Sequence, residues 1–171
     1  IMAELIAYYS RRGQNYFGGK LKTVEKGNTE TLVEMLQELT GAEVFHIKQV
    51  VEYSDDYNKC AEEVKYDFEN DERPELDEYL QEPDKYDTIY LAYPNYCGTM
   101  PMVLFTFLEE YDFSGKIIRP ICTNEGSGLG KSVEDIKRLC PNSEVRTGLS
   151  INGSEVTESK EKLKNWLEKT I

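Results

Sequence analysis

Apolar positions along the chain follow two alternating rhythms. Leu5-Ile6-Ala7-Tyr8-Tyr9 is a short apolar run ending at Ser10, whereas Leu32, Val33, Leu36 and Leu39 recur at the spacing of one helix face. Residues 43–48 then alternate like a strand. A cap signal follows at Ser54-Asp55-Asp56, with a helical stripe of Tyr57, Ala61, Val64 and Phe68. Thr88-Ile89-Tyr90-Leu91-Ala92 reads as a strand covered on both faces and leads to a helix carrying Val103, Leu104, Phe107 and Leu108. Residues 117–122 repeat the exchange ahead of Val133, Ile136 and Leu139, although Pro120 costs that strand a ladder hydrogen bond. Residues 144–149 are the predicted last strand and Ile151-Asn152-Gly153 a turn. Leu163, Trp166 and Leu167 form the core side of a closing helix. Strands interleaved with helices predict an α/β fold, a parallel sheet between two helical layers, with residues 1–171 as one domain.

Three of the predicted strands lead into loops of small and polar residues. The first loop runs from Ser10 to Gly27-Asn28-Thr29, where a helix starts. A first helical turn has unpaired N–H groups and the positive end of the helix dipole, which together hold phosphate. Ser10, Asn28 and Thr29 add side-chain donors, and Gly27 permits close approach of the backbone. Singly, Asn28 reads as an N-cap and Ser10 as a turn residue; together, after the first strand, they point to an anion site. The second loop carries Pro94, Asn95, Tyr96, Cys97 and Gly98, a wall suited to a flat, partly apolar ring or a turn that simply closes the sheet. The third carries Thr123, Asn124, Glu125, Gly126, Ser127 and Gly128, whose main-chain N–H groups and polar side chains suit the heteroatom edge of such a ring. A plain linker has the same composition.

In these loops the chain resembles the flavodoxins, whose hydroxyl-rich first loop ends in Gly-Asn-Thr and wraps the phosphate of FMN. The resemblance implies a three-layer flavodoxin-like fold with five parallel strands in the order 2-1-3-4-5, of the short-chain type. It places the FMN phosphate at Ser10, Gly27, Asn28 and Thr29, with Arg12 and Lys26 as cationic candidates, Lys26 replacing a customary hydroxyl. Tyr96, where relatives often carry tryptophan, is expected beside the ring together with the rest of the second and third loops. The Gly98 peptide is expected to reorient when the flavin is reduced. An insertion from Arg11 to about Thr23 departs from ordinary flavodoxins and reads as a hairpin or as a wall of the site, with Tyr16 and Phe17. The implied function is electron transfer to a redox partner protein or small acceptor. The alternatives are an NAD(P)H-dependent FMN oxidoreductase of quinones and a cofactor-free interaction domain.

Composition narrows the partners. A net charge of −12 disfavours nucleic acid and anionic membrane surfaces. No apolar run is long enough to cross a bilayer, and a cytoplasmic location is the expectation. Cys60, Cys97, Cys122 and Cys140 are scattered, with one histidine in the chain, which argues for reduced thiols and against a zinc site. His46 falls on the polar phase of its strand and is expected to be exposed. The acidic run from Glu69 to Asp84 reads as a solvated face, or as a dock for a basic partner. A phosphoacceptor receiver domain needs acidic residues after the first and third strands, where Tyr8-Tyr9-Ser10 and Tyr93-Pro94-Asn95 stand instead.

Overall fold

Burial on both faces puts strand β1 (Ala3–Tyr8) in the middle of the sheet: its residues from Leu5 onward are all buried. The computed structural model describes residues 3–169. After β1 come a hairpin, β2 (Gly13–Phe17) and β3 (Lys20–Val24), helix α1 (Asn28–Thr40), β4 (Glu43–His46) and α2 (Tyr57–Glu69). There follow β5 (Tyr86–Pro94), α3 (Met102–Glu110), β6 (Ile117–Asn124), α4 (Ser132–Leu139), β7 (Glu144–Val145), β8 (Leu149–Asn152) and α5 (Lys160–Leu167). The main sheet has the order β4-β1-β5-β6-β7, with β8 also on β6, and every pairing in it is parallel. This is the flavodoxin-like order 2-1-3-4-5.

Alternation along the strands divides the core. Leu5, Ala7, Ile89, Leu91 and Cys122 face one way, against Val103, Leu104 and Phe107 of α3 and Ile136 of α4. Ile6, Tyr8, Tyr90, Ala92 and Ile121 face the other way, against Leu32, Val33 and Leu36 of α1 and Leu163 and Trp166 of α5. Each layer thus buries a continuous apolar face, which is what holds helices on both sides of the sheet.

Three local expectations are corrected. The fifth strand is in two pieces: β7 pairs with Ile117–Ile118 and β8 with Ile121–Asn124, so Ile151 and Asn152 belong to a strand and not to a turn. Pro120 lies opposite the interruption, where its missing N–H removes a bond the neighbouring strand would otherwise make. In α2 the buried residues are Cys60 and Val64, while Ala61 and Phe68 are exposed; the helix covers only a narrow strip. His46 is half-buried, stacked on Tyr8 with ring centroids 4.5 Å apart and planes 10° from parallel.

Arg119, buried in β6, ties α5 to the sheet. Its guanidinium donates to the carbonyls of Trp166 (2.7 Å), Lys169 (3.0 Å) and Leu167 (3.3 Å), and lies 4.4 Å from the Trp166 ring centroid. These carbonyls lie at and just beyond the C-terminal end of α5, where the helix no longer pairs every acceptor. Arg119→Met is expected to lower stability by about 2 kcal/mol, read from the urea midpoint, because each lost bond is to a charged donor. Burial, and then Lys48, push the His46 imidazole below its ordinary 6.5. A folded value below the unfolded one means a contribution to stability that is present above about pH 6.5 and lost as pH falls through the folded value. The single histidine signal in a proton NMR titration should therefore have its midpoint below 6.5; a midpoint at or above it would refute the assignment.

Candidate functional site

A cleft of about 370 Å³ opens beyond the carboxyl ends of β1, β5 and β6, where ligands of open parallel sheets bind. The first loop contributes Ser10, Asn28 and Thr29 to its walls, the second Pro94, Asn95, Tyr96 and Cys97, and the third Thr123, Asn124, Glu125 and Ser127. Arg12, Lys26, Gly27, Gly98, Gly126 and Gly128 do not line it. A larger groove of about 530 Å³ lies among Val50, Val51, Glu62, Tyr66 and Arg73, and none of the three loops reaches it.

At the first loop, Ser10 Oγ accepts the N–H of Glu30 at 3.1 Å, so the end of β1 caps α1. Gly27 precedes the helix and is buried; a Cβ there would overlap the Arg11 carbonyl and Ser10 Oγ. Among the described residues no protein acceptor meets the N–H groups of Asn28 and Thr29. The Thr29 hydroxyl is bonded to that of Thr123 at 2.7 Å, joining the first loop to the third. Arg12 and Lys26 are committed elsewhere. Arg12 pairs with the buried Glu30 at 3.1 Å and Lys26 with Glu34 at 2.6 Å. The donors left open at this end of the cleft are therefore neutral N–H groups at a helix start, and these two cations are already paired.

The second loop is a two-residue reverse turn. Tyr96 and Thr99 exchange both backbone bonds (2.8 and 3.1 Å), with Cys97 at φ 55° and Gly98 at φ 79°. Positive φ at both central residues marks the type I′ turn, unusual with cysteine at its first position. Asn95 braces it: Oδ1 accepts the Gly98 N–H (3.0 Å) and Nδ2 donates to the Gly128 carbonyl (2.9 Å). The Gly98 carbonyl accepts the Lys131 N–H at 2.7 Å. Both peptides of Gly98 are thus held, and turning over the Cys97–Gly98 peptide would drive Cys97 into backbone space reserved for glycine. The reorientation expected at Gly98 is opposed by this geometry. Burial pushes the Cys97 thiol up, away from a reactive thiolate. The Tyr96 ring meets Tyr9 edge-on (5.9 Å, 79°), and its hydroxyl is buried without a partner.

In the third loop Asn124 is a builder. Its Oδ1 accepts the N–H groups of Gly126 and Gly128, both at 3.0 Å, and its Nδ2 donates to Ser150 Oγ at 2.8 Å. The Asn124 amide is therefore engaged within the protein. Among the described residues Glu125 is the only one that brings a carboxyl group to the cleft wall, and burial raises it above its ordinary 4.5.

A model of the family described as Flavodoxin matches residues 22–170. The chain belongs to the flavodoxin family. No curated protein matches it. Among solved structures, a protein of Bacteroides uniformis ATCC 8492, provisionally described as a flavoprotein, has a TM-score of 0.79 at 24% identity over 98% of this chain and 99% of that one. A flavoprotein of Lactobacillus acidophilus NCFM in complex with FMN gives 0.66 at 18% identity, over 92% and 98%. Oxidised flavodoxin 2 of Bacillus cereus gives 0.51 at 17%, over 97% and 98%. At such identities the likeness concerns the fold.

Of the inserted segment's two aromatics, Tyr16 lines the cleft, as the wall reading expects, and Phe17 does not; sequence reasoning missed Arg11 and Asn15 from the same segment and Tyr57, Cys60, Ala61 and Val64 from α2. The signal for the hairpin was Gly18-Gly19 between two alternating stretches; both glycines have positive φ, at 61° and 82°. Arg11 is spent on structure, donating to the carbonyls of Gln14 (3.0 Å), Ser54 (2.9 Å) and Asp55 (3.0 Å). Among the described residues no three His, Cys, Asp or Glu side chains gather to hold a metal, and no helix is long and apolar enough to cross a membrane. Gly27→Ala should lower stability by about 1–3 kcal/mol, the range for a forced overlap in a packed region, when measured by urea unfolding. An unchanged midpoint would show that the first loop can move aside.

Proposed function

We propose that the protein is an FMN-binding flavoprotein that transfers electrons to a redox partner. The observation carrying this reading is the convergence of three strand-end loops on one cleft, with uncharged N–H donors at one end and apolar walls along its length. Asn28 and Thr29 N–H and the dipole of α1 suit a phosphate, while Pro94, Tyr96, Ala61 and Val64 suit a planar ring. Bound there, FMN would supply the redox chemistry, and this chain's residues would bind it, orient it and exclude water. The thiols of Cys60 and Cys97 and the phenols of Tyr57 and Tyr96 all have raised values, so none of them is a proton donor of ordinary strength.

A carrier fits the cleft better than a pyridine-nucleotide reductase. Among the described residues its one cationic lining residue, Arg11, is already engaged by three carbonyls and offers no grip on a dinucleotide. Titration of the purified protein should give a yellow complex with FMN, and riboflavin, lacking the phosphate, should bind at least about tenfold more weakly. Failure to bind FMN would favour a cofactor-free interaction domain. Steady oxidation of NADH or NADPH with a quinone acceptor would favour a reductase.

A further inference from the structure

Tyr16 and Leu21 face each other across the hairpin and are among the largest exposed apolar side chains, at 43% and 47% of full exposure. Of the pair, Tyr16 also lines the cleft. The hairpin forms its own two-stranded sheet, which is marginal by itself. It is nevertheless fastened at its base. Arg11 reaches the carbonyls of Ser54 and Asp55, Gln14 Oε1 accepts the Tyr57 N–H at 2.9 Å, and Asn15 Nδ2 donates to the Arg11 carbonyl at 2.8 Å. At its tip Gly18 comes near Glu125 of the third loop. Fastened at its base, the hairpin stands between α2 and the third loop.

Tyr57 meets Tyr16 edge-on at 4.7 Å and 89°, which fixes the Tyr16 ring while leaving area for another aromatic. Across the cleft, Tyr96 is pinned against Tyr9 with its hydroxyl buried. We propose that the inserted hairpin is the second jaw of the flavin cleft, and that Tyr16, braced by Tyr57, supplies an aromatic face for the planar ring. This rests on the FMN reading above and adds a binding residue from the hairpin inserted in the first loop.

Tyr16→Ala tests the assignment. Without the stack, the dissociation constants of FMN and of riboflavin should rise by the same factor, about tenfold, since the lost contact is to the ring they share. Residual fluorescence of the bound flavin should rise as the quenching phenol is removed. Tyr16→Phe, which keeps the face, should retain wild-type affinity. Unchanged constants in Tyr16→Ala would overturn the proposal, as would a weakening confined to FMN, which would place Tyr16 at the phosphate end. If the wild-type protein binds no FMN, the functional reading itself fails and this inference with it. Circular dichroism of the flavin-free variants confirms that the fold is kept.

Discussion

The site depends on how closely α1 approaches the end of β1. Gly27 lies against the Arg11 carbonyl and Ser10 Oγ with no space for a side chain, and Ser10 in turn accepts a first-turn N–H of the helix. That contact sets the height and direction of the helix start relative to the sheet. It leaves the N–H groups of Asn28 and Thr29 unclaimed by the protein at the cleft, and the Thr29–Thr123 hydroxyl bond transmits the same positioning to the third loop. Asn95, bonded to both Gly98 and Gly128, closes the circuit between the second loop and the third. Three loops distant in sequence are held by short polar contacts into one surface.

Much of this was legible in the residues. Continuous apolar strands and helical stripes announced the layers, and strand-end loops with Gly-Asn-Thr, Pro-Asn-Tyr and Thr-Asn-Glu-Gly announced the cleft. Less legible was which polar groups would be consumed in building the loops. Asn124 looks like a ligand-binding residue in sequence, yet it spends its amide on the loop backbone and on Ser150. Arg12 and Lys26 look like phosphate cations, but each has a carboxylate within reach on α1. Partner choice is a matter of three-dimensional proximity, and composition does not encode it. The α2 stripe misled for a related reason: a helix packed on one side of the sheet edge, with a cleft beside it, buries fewer positions than its periodicity suggests.

The inserted hairpin illustrates how a family scaffold acquires a new wall. Its own two strands make no bond to the main sheet, and its position comes instead from the Arg11 fork and the Gln14 contact with the start of α2. An addition outside the main sheet becomes part of the cleft through polar contacts at its base, and its aromatic residue is oriented by a second aromatic from α2.

The gap beside Pro120 has a consequence at the margin of the molecule. An unbroken outer strand offers a row of unpaired amides and carbonyls on which a neighbouring chain can assemble edge to edge. Here that margin is cut into a two-residue and a four-residue piece, and the Thr147 carbonyl in the interval is occupied by the Trp166 indole. The proline that weakens one ladder thereby denies strangers a continuous template, leaving the short β4 margin as the other side from which the sheet could be extended.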